Sequence, residues 1–287
     1  MKKTEYELID CGGSRKLEKF GQIILDRPAP HAIWKKNLSS EDWYKRNGIF
    51  FRNKDRASVW YSQDESLLDE WKIKIDGIEM ILKPALNGQI GIFPEQLPNW
   101  QLLKKTVKNA KKDLKILNGF AYTGIANLFA LYPDTEHKVE ITHVDAAKSA
   151  ITWAKNNAVN SGFGEKPIRW IVDDIVNFME KEKKRENFYD IIILDPPAFG
   201  RTKDGKSWSF AKNFGHLLEL TRDLLSDNPE LVIISCHAPE INASKLAEMV
   251  LDLGLPEEGT VTSKELVLSY ANGKLPAGTS VTWESIS

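Results

Sequence analysis

The sequence predicts an α/β protein with a small N-terminal β-rich domain and a larger domain built on a mostly parallel sheet. Before residue 85 the apolar runs are short and broken by Gly, Pro and Asn, as in short strands joined by turns. After Pro98 strand-like and helix-like stretches alternate, which favours parallel strands joined by right-handed crossovers. The tail holds two strands with no helix between them, which predicts a C-terminal antiparallel strand. We expect the domains to span residues 1–88 and 89–287.

The N-terminal strands are expected where β-branched and aromatic residues cluster. The clearest is WKIKIDGIEMIL, residues 71–82, in which apolar residues alternate on both sides of Asp76-Gly77. An Asp-Gly pair between alternating stretches predicts a β-hairpin. Shorter strands are expected at 23–25, 49–51 and 57–61.

The larger domain is expected to alternate between strands and helices. Strands are expected at 113–120, 138–145, 168–174, 189–195 and 230–236. Helices are expected at 99–112, 123–133, 146–162, 175–187, 214–225 and 241–254. Gly162 acts as a helix stop signal in this pattern.

Bulk properties restrict the partners and the compartment. The 39 basic and 40 acidic residues nearly cancel, so any contact with nucleic acid has to come from local patches. Two cysteines and an N-terminus without an apolar signal segment favour a reducing compartment, and no apolar run reaches the length of a membrane span. We therefore expect a soluble cytoplasmic protein that contacts no membrane and needs no metal. The sequence leaves a homodimer open.

Polar residues stand at four successive strand ends: Asp145, Asp173 with Asp174, Asp195, and Cys236. In an open parallel sheet, ligands bind beyond the carboxyl ends of the strands, at the point where the strand order reverses. Three of these residues could instead have a purely structural role. Asp145 and Asp174 are suitable helix N-caps, and a buried Cys236 behaves as a small hydrophobic residue. Because all four ends meet at one edge of the sheet, we predict a ligand site there.

The segment ILDPPAFGR ends the fourth strand of this series abruptly. Pro196 and Pro197 cannot donate to a sheet ladder, so the strand stops at Asp195. A rigid Asp-Pro-Pro turn can accept hydrogen bonds from an exocyclic amino group of a base taken out of its stack, and Phe199 can stack on that base. The alternative is that the prolines only end the strand. Basic residues that can meet phosphates follow at Arg201, Lys203 and Lys206.

The first strand of the larger domain ends in NGFAYTG, residues 118–124. An acidic residue roughly 25 positions after such a turn, here Asp145, is the arrangement that binds an adenosyl ribose. The turn has one small residue at the helix start, Gly124, and lacks the spaced glycines that give a pyrophosphate room. A ligand with adenosine but no phosphate therefore fits better, and S-adenosylmethionine is such a ligand.

Four blocks carry a resemblance to a known family: LNGFAYTG, HVDAAKSAITWAKNNAVNSG, RWIVDDI and ILDPPAFGR. In this order and spacing they resemble the class I S-adenosylmethionine-dependent methyltransferases, which have a Rossmann-like fold. More narrowly, they resemble the large-subunit (23S) ribosomal RNA cytosine-carbon-5 methyltransferases. The segment GQIGIFPEQ, residues 88–96, is similar to the stretch before that family's catalytic fold. Members often carry a further N-terminal RNA-binding domain, and we expect this chain to lack one.

The resemblance implies a role for each strand end. Asp145 is expected to accept hydrogen bonds from the ribose hydroxyls. Asp173 is expected to accept a hydrogen bond from the adenine amino group, with Asp174 as the less favoured choice. Asp195 is expected where the methyl group meets the substrate, beside Cys236 as the nucleophile. The turn residues expected to wrap the methionine part are Phe120, Tyr122, Thr123 and Gly124. The residues expected to bind the substrate are Pro196, Pro197, Phe199 and Arg201.

The resemblance implies a covalent mechanism in which Cys236 is the nucleophile. Carbon 5 of cytosine is a poor nucleophile, and a thiolate that adds to carbon 6 activates it. His237 follows the cysteine where the family commonly has a serine, and we expect His237 to lower the thiol pKa. The implied function is methyl transfer from S-adenosylmethionine to an RNA base, carbon 5 of cytosine in large-subunit ribosomal RNA. The alternatives are a guanine ring nitrogen or a protein side chain as acceptor, and a non-catalytic cofactor-binding protein associated with RNA.

Overall fold

The computed structural model describes residues 4–52, 58–62, 69–201 and 207–286. Its contacts divide the chain into two compact units. The first is Met1–Glu95 with Val267–Pro276, and the second is Gln96–Leu266 with Ala277–Ser287. The predicted domain boundary between residues 88 and 89 stays a prediction. Lys203 and Lys206, which the sequence suggests as phosphate contacts, lie outside the described residues.

The described residues of the first unit form a five-stranded sheet, a short helix and a separate hairpin. Their bounds are β1 (Tyr6–Gly12), β2 (Arg15–Phe20), β3 (Ile23–Pro28), α1 (Ser40–Tyr44), β4 (Gly48–Arg52), β5 (Ser58–Ser62), β6 (Trp71–Ile75) and β7 (Ile78–Leu82). The larger sheet has the strand order β1-β2-β3-β4-β5. Its neighbours are antiparallel except β3 and β4, which run parallel and are joined through α1.

Sequence analysis did not predict β1, β2 or α1, because charged residues interrupt the apolar pattern. In β2 the carboxylate of Glu18 is fully buried and accepts hydrogen bonds from Arg27 Nη2 at 2.6 Å and Nε at 2.8 Å. Burial alone raises the pKa of Glu18, but the charges of Arg27 and Lys16 outweigh burial and hold the pKa below its usual value. A buried ion pair between strands hides the alternation that identifies a strand in sequence.

The predicted hairpin is confirmed by β6 and β7, which pair antiparallel with Ile75 opposite Ile78. The two turn residues between them, Asp76 and Gly77, have φ angles of 48° and 86°. Positive φ at both central residues is what a type I′ turn requires, and Asp-Gly supplies it at low cost. The local sequence is therefore sufficient to place this turn.

The remaining described elements form a seven-stranded sheet with helices in its connections, and they belong to the second unit except for residues 267–276, which belong to the first. The first elements are α2 (Leu97–Asn109), β8 (Leu114–Gly119), α3 (Ile125–Leu131), β9 (Val139–Asp145), α4 (Lys148–Asn160), β10 (Ile168–Val172), α5 (Ile175–Lys184) and β11 (Ile191–Leu194). They are followed by β12 (Phe199–Arg201), β13 (Ser207–Ser209), α6 (Phe210–Asp223), β14 (Leu231–Cys236), α7 (Ala243–Leu251), β15 (Gly259–Tyr270) and β16 (Gly273–Ser285).

The strand order of this sheet is β10-β9-β8-β11-β14-β16-β15. The strands from β10 to β14 are parallel, and β16 runs antiparallel to β14. This confirms the predicted α/β fold with a mostly parallel sheet and an antiparallel C-terminal strand. The chain proceeds outward from β8 to β10, and then returns to β11 on the other side of β8. The switch point therefore lies between β8 and β11.

The two central strands β11 and β14 are buried along their whole length. Strands covered on both faces have continuous apolar sequences, and these runs allowed both strands to be predicted.

The two-stranded ribbon of β12 and β13 was not predicted, because three-residue strands are too short to show a period. Among the described residues, no helix is long and apolar enough to cross a membrane.

Candidate active site at the carboxyl ends of the parallel strands

The carboxyl ends of β9, β8, β11 and β14 lie side by side. In the register of these strands Gly119 is opposite both Val144 and Leu194, and Leu194 is opposite Ile234. The residues that follow these positions are Phe120, Asp145, Asp195 and Ser235. The fold therefore brings several of the predicted site residues to one edge of the sheet, on both sides of the switch point.

The turn after β8 has an unusual backbone. Phe120, Tyr122 and Gly124 have φ angles of 54°, 46° and 75°. Left-handed φ is uncommon for non-glycine residues and persists only where the surrounding structure holds it. One such contact is the backbone N–H of Tyr122, which donates to Asp145 Oδ2 at 2.9 Å. Strained residues of this kind cluster at ligand sites, so the conformation is consistent with a cofactor-binding turn.

Aromatic side chains support this turn. The Phe120 ring packs against Trp208 with 5.1 Å between ring centroids, and Tyr122 packs against Trp153 at 6.0 Å. Trp208 Nε1 also donates to the carbonyl oxygen of Pro197 at 2.8 Å. Trp208 therefore ties the turn after β8 to the Asp-Pro-Pro turn after β11. Sequence reasoning missed this residue, because it lies in the short ribbon strand β13.

Asp145 is held by the backbone on both of its carboxylate oxygens. Oδ2 accepts from the Tyr122 N–H at 2.9 Å and Oδ1 accepts from the Ala147 N–H at 2.8 Å. Burial raises the pKa of Asp145, while these two hydrogen bonds oppose the rise. An ionised carboxylate has about four acceptor positions, so each oxygen can accept one further hydrogen bond. This arrangement suits a pair of neighbouring hydroxyl groups.

Asp174 is the N-cap of α5, which was the structural role considered for it from the sequence. Its Oδ1 accepts from the N–H groups of Val176 at 3.0 Å and Asn177 at 3.1 Å. Asp173 Oδ1 accepts from the Asp174 N–H, and Asp173 Oδ2 forms an ion pair with Lys181 Nζ at 2.6 Å. An adenine contact by Asp173 or Asp174 stays a prediction.

Asp195 is held through one oxygen. Oδ1 accepts from Gln96 Nε2 at 3.0 Å and lies 2.9 Å from His237 Nε2. The Asp195 side chain is 26% exposed, so it can still reach a ligand. Pro196 is buried and Pro197 is exposed. The predicted substrate contacts Phe199 and Arg201 belong to β12, but their side chains lie outside the described part of the chain.

Gln96 is a site residue that sequence reasoning did not select. Its Oε1 accepts from Asn99 Nδ2 at 2.7 Å and from Ser235 Oγ at 3.1 Å. These donors fix the orientation of the amide, so Nε2 faces Asp195. Gln96 closes the GQIGIFPEQ segment, and the resemblance carried by that segment was the signal that could have identified it.

Cys236 is fully buried at the end of β14. Its Sγ accepts from the Ala238 N–H at 3.4 Å. Burial, with smaller contributions from the charges of Glu240 and Asp195, raises the pKa of the Cys236 thiol to about 11, although the hydrogen bond from Ala238 opposes the rise. The expectation that His237 lowers this pKa is wrong, because the ring nitrogens of His237 face Asp195 and a backbone carbonyl. In this structure Cys236 is a protonated thiol at neutral pH.

Comparison with known proteins defines the class to which this fold and site belong. The crystal structure of an S-adenosylmethionine-dependent methyltransferase from Agrobacterium tumefaciens is 32% identical, with a TM-score of 0.91 over 98% of this chain and 91% of that chain. The chain belongs to the S-adenosylmethionine-dependent methyltransferases. The predicted enzyme class, fold and cofactor are thereby confirmed. No protein-family model matches the chain.

The chain is also similar, at lower identity, to two ribosomal RNA methyltransferases. Ribosomal RNA large subunit methyltransferase I from Tolumonas auensis is 25% identical over 221 residues, covering 74% of this chain and 53% of that protein. Ribosomal RNA large subunit methyltransferase K/L from Shewanella baltica is 29% identical over 215 residues, covering 71% of this chain and 29% of that protein. The chain spans about half, or less, of the length of these relatives. The methyltransferase SMU.776, solved with S-adenosylhomocysteine, shares the fold at 18% identity, with a TM-score of 0.76 over 99% of this chain and 76% of that chain.

Proposed function

We propose that the protein transfers the methyl group of S-adenosylmethionine to a base of large-subunit ribosomal RNA, and that the acceptor is carbon 5 of cytosine. The observation that carries the proposal is the position of two strand ends. Asp195 follows β11 and Cys236 ends β14, and these neighbouring strands pair with Leu194 opposite Ile234. Two relatives with related sequences are named ribosomal RNA large subunit methyltransferases, which supports RNA as the substrate.

The residues beside β8 and β9 fit the cofactor. Asp145 retains an acceptor position on each oxygen, which matches the two ribose hydroxyls. The turn from Phe120 to Gly124 holds the methionine part, and Asp173 accepts from the adenine amino group. S-adenosylmethionine supplies an electrophilic methyl group on a sulfonium when it is bound.

The Asp-Pro-Pro turn binds the target base. The base leaves its stack to reach the site, and Asp195 accepts a hydrogen bond from its exocyclic amino group. Pro196 and Pro197 fix the turn before binding, so less conformational entropy is lost when the base arrives. Phe199 stacks on the base, a contact worth about 1–3 kcal/mol.

Cys236 activates the cytosine ring. The thiol gives its proton to water, and the sulfur forms a bond to carbon 6, which makes carbon 5 nucleophilic. Carbon 5 takes the methyl group as the methyl–sulfonium bond breaks. Water then takes the proton from carbon 5, the electron pair of that C–H bond forms the 5,6 double bond again, and the bond from carbon 6 to sulfur breaks to release the thiolate. The pKa of about 11 means that the thiol has to lose its proton in the complex with RNA.

RNA that carries 5-fluorocytosine at the target position tests this chemistry. Fluorine blocks the removal of the carbon-5 substituent, so the wild-type enzyme should form a complex with this RNA that survives denaturation. Cys236→Ser should form no such complex and lose nearly all activity while still binding S-adenosylmethionine. Cys11→Ser is the matched control, because Cys11 is equally buried but lies in the first unit. Full activity of Cys236→Ser would remove the covalent mechanism.

Methylation of a guanine ring nitrogen is the second candidate, and the burial of Cys236 favours it. The thiol has no exposed surface and a raised pKa, so it is a weak nucleophile in this state. A ring nitrogen already has a lone pair and needs no covalent activation. Under this candidate Asp195 still accepts from the base, the fluorinated RNA forms no stable complex, and Cys236→Ser keeps its activity.

A further inference from the structure

The imidazole ring of His237 lies between two oxygen atoms. Nδ1 is 2.9 Å from the carbonyl oxygen of Ala277, and Nε2 is 2.9 Å from Asp195 Oδ1. A carbonyl oxygen and an ionised carboxylate can only accept hydrogen bonds, whereas a neutral imidazole has a single N–H. Both contacts are hydrogen bonds only when this pair holds one proton more than neutral His237 beside an ionised Asp195.

The amide of Gln96 determines where that additional proton is placed. Gln96 Oε1 already accepts from Asn99 and Ser235, so Gln96 Nε2 donates to Asp195 Oδ1 at 3.0 Å. Oδ1 is therefore the acceptor of one donor from Gln96 and faces a second nitrogen from His237. An oxygen that accepts two hydrogen bonds makes stronger ones as part of an ionised carboxylate, which favours placing the proton on the ring. The arrangement is an imidazolium beside a carboxylate.

The absence of a side chain at Gly278 of β16 allows the His237 ring to lie against this strand. Gly278 has a φ of +137°, and a Cβ at this position would lie 2.8 Å from His237 Nδ1 and 2.8 Å from the carbonyl oxygen of Cys236. Only glycine fits both the φ angle and the space. The contact between His237 and Ala277 is therefore built into the pairing of β14 with β16.

The groups around the ring favour its charged form. The N-terminal end of α2 presents the neutral amide of Gln96, and β16 presents backbone atoms. The neighbour Cys236 is a neutral thiol because burial raises its pKa. The acidic groups on this side are Asp195 and Glu240, both of which act on Cys236 by their charge. The carboxylate of Asp195, 2.9 Å from Nε2, stabilises the imidazolium.

We propose that His237 is a positioning residue that, as an imidazolium, donates to Asp195 Oδ1 and so orients the Asp195 carboxylate as a hydrogen-bond acceptor for the substrate. Within the described part of the chain, the hydrogen bonds to Asp195 fall on Oδ1, so Oδ2 is the oxygen that meets the substrate. Such an acceptor selects a base with an amino group. Cytosine presents an amino donor where uracil presents a carbonyl acceptor. This inference rests on the proposed function for the identity of the ligand, but not for the state of the pair.

Nitrogen NMR of the histidine rings tests the state of the pair without any substrate. The chain has five histidines, so the His237 signals are assigned by their loss in His237→Gln. At pH 7 both ring nitrogens of His237 should carry a proton in the wild-type protein. In Asp195→Asn one of them should lose its proton at the same pH, because the compensating charge is gone. A singly protonated ring in the wild type, or no change in Asp195→Asn, overturns the proposal.

Matched RNAs with cytosine or uracil at the target position test the selection. The wild type should methylate the cytosine RNA about 10- to 100-fold more efficiently, and its activity should decline on the alkaline side, because a ring that has lost its second proton can no longer donate to both oxygens. His237→Gln can donate to Asp195 but does not titrate, so it should keep the preference and lose the alkaline decline, whereas His237→Phe cannot donate and should lose most of the preference. Both variants should bind S-adenosylmethionine as the wild type does. An alkaline decline that persists in His237→Gln, or an unchanged preference in His237→Phe, overturns the proposal.

The two experiments separate this inference from the proposed function. If the wild type methylates neither RNA while the NMR result holds, the proposed function fails and the His237–Asp195 pair stands. If the wild type methylates the cytosine RNA while His237 is singly protonated, the proposed function stands and the role of His237 fails.

Discussion

At the scale of single residues, three aspartates at the strand ends differ in what already occupies their oxygens. Asp145 accepts one backbone N–H on each oxygen, Asp174 uses Oδ1 to cap α5, and Asp195 uses Oδ1 for Gln96 and His237. Each carboxylate therefore keeps a different set of acceptor positions for a ligand. Residues of one type at equivalent places in the fold have different tasks, because their hydrogen-bond partners differ.

Asp145→Ala should weaken the binding of S-adenosylmethionine by about 1.5–3 kcal/mol, the scale of hydrogen bonds to a charged group. The physical reason is the loss of the acceptor for the ribose, together with the loss of support for the turn at Tyr122. Titration calorimetry on the folded variant measures the change. Glu140→Ala is the control, because this half-exposed residue lies near the opposite end of β9 and its substitution should leave the affinity unchanged. Wild-type affinity in Asp145→Ala would contradict the ribose assignment.

At the scale of secondary-structure elements, α5 begins where Asp174 satisfies two backbone N–H groups. Asp174→Ala should lower the free energy of unfolding by about 1 kcal/mol, the usual cost of a lost N-cap. Asp174→Ser should restore most of that loss. Asp173→Ala should cost little stability, because its partner Lys181 is half exposed and exposed ion pairs contribute little. Denaturant unfolding measures these differences, and equal stability of Asp174→Ala and the wild type would contradict the cap.

The pairing of β14 with β16 depends on Gly278. Gly278→Ala should lower the free energy of unfolding by about 2–4 kcal/mol, because the added Cβ meets backbone atoms and the φ angle is strained. Gly254→Ala is the matched control: it also has a positive φ, but among the described residues nothing lies within 4 Å of the added Cβ. Its cost should be about 1–2 kcal/mol, from the backbone alone. Equal losses in the two variants, measured by denaturant unfolding, would show that the close approach at Gly278 contributes nothing.

At the scale of the whole molecule, the buried histidine of β9 links stability to pH. His143 is fully buried, its Nδ1 lies 2.8 Å from Asn127 Nδ2, and burial lowers its pKa to about 3. Below its unfolded pKa of 6.5 the unfolded chain takes up a proton that the folded chain does not. The folded state is therefore favoured less as pH falls through this range.

Lowering the pH from 7 to 5 should reduce the free energy of unfolding by about 2 kcal/mol through His143 alone. Carboxylates contribute to the same transition, so the comparison is between the wild type and His143→Gln. Glutamine can accept the hydrogen bond from Asn127 but does not titrate. Denaturant unfolding at both pH values should give a loss that is smaller by about 2 kcal/mol in the variant. The same loss in both proteins would mean that His143 titrates normally.

Much of the fold follows from the sequence, because the signals involved are local. Continuous apolar runs identify β11 and β14, the Asp76-Gly77 pair identifies the hairpin of β6 and β7, and alternation of strands and helices identifies the parallel sheet. Strand ends are also local features, so Asp145, Asp195 and Cys236 could be selected in advance as neighbours at one edge. The class of enzyme and its cofactor followed from these features together with the resembling blocks.

The partners of these residues were decided by the tertiary structure. Gln96 reaches Asp195 across 99 positions of the chain, and the ring of His237 reaches it across 42. Such contacts depend on side-chain rotamers that are set by packing between distant segments, and no local pattern encodes them. The buried ion pair of Glu18 with Arg27 hid a strand for the same reason. The sequence by itself determined which groups stand at the site, whereas the packing of α2, β14 and β16 around Asp195 decided its hydrogen bonds.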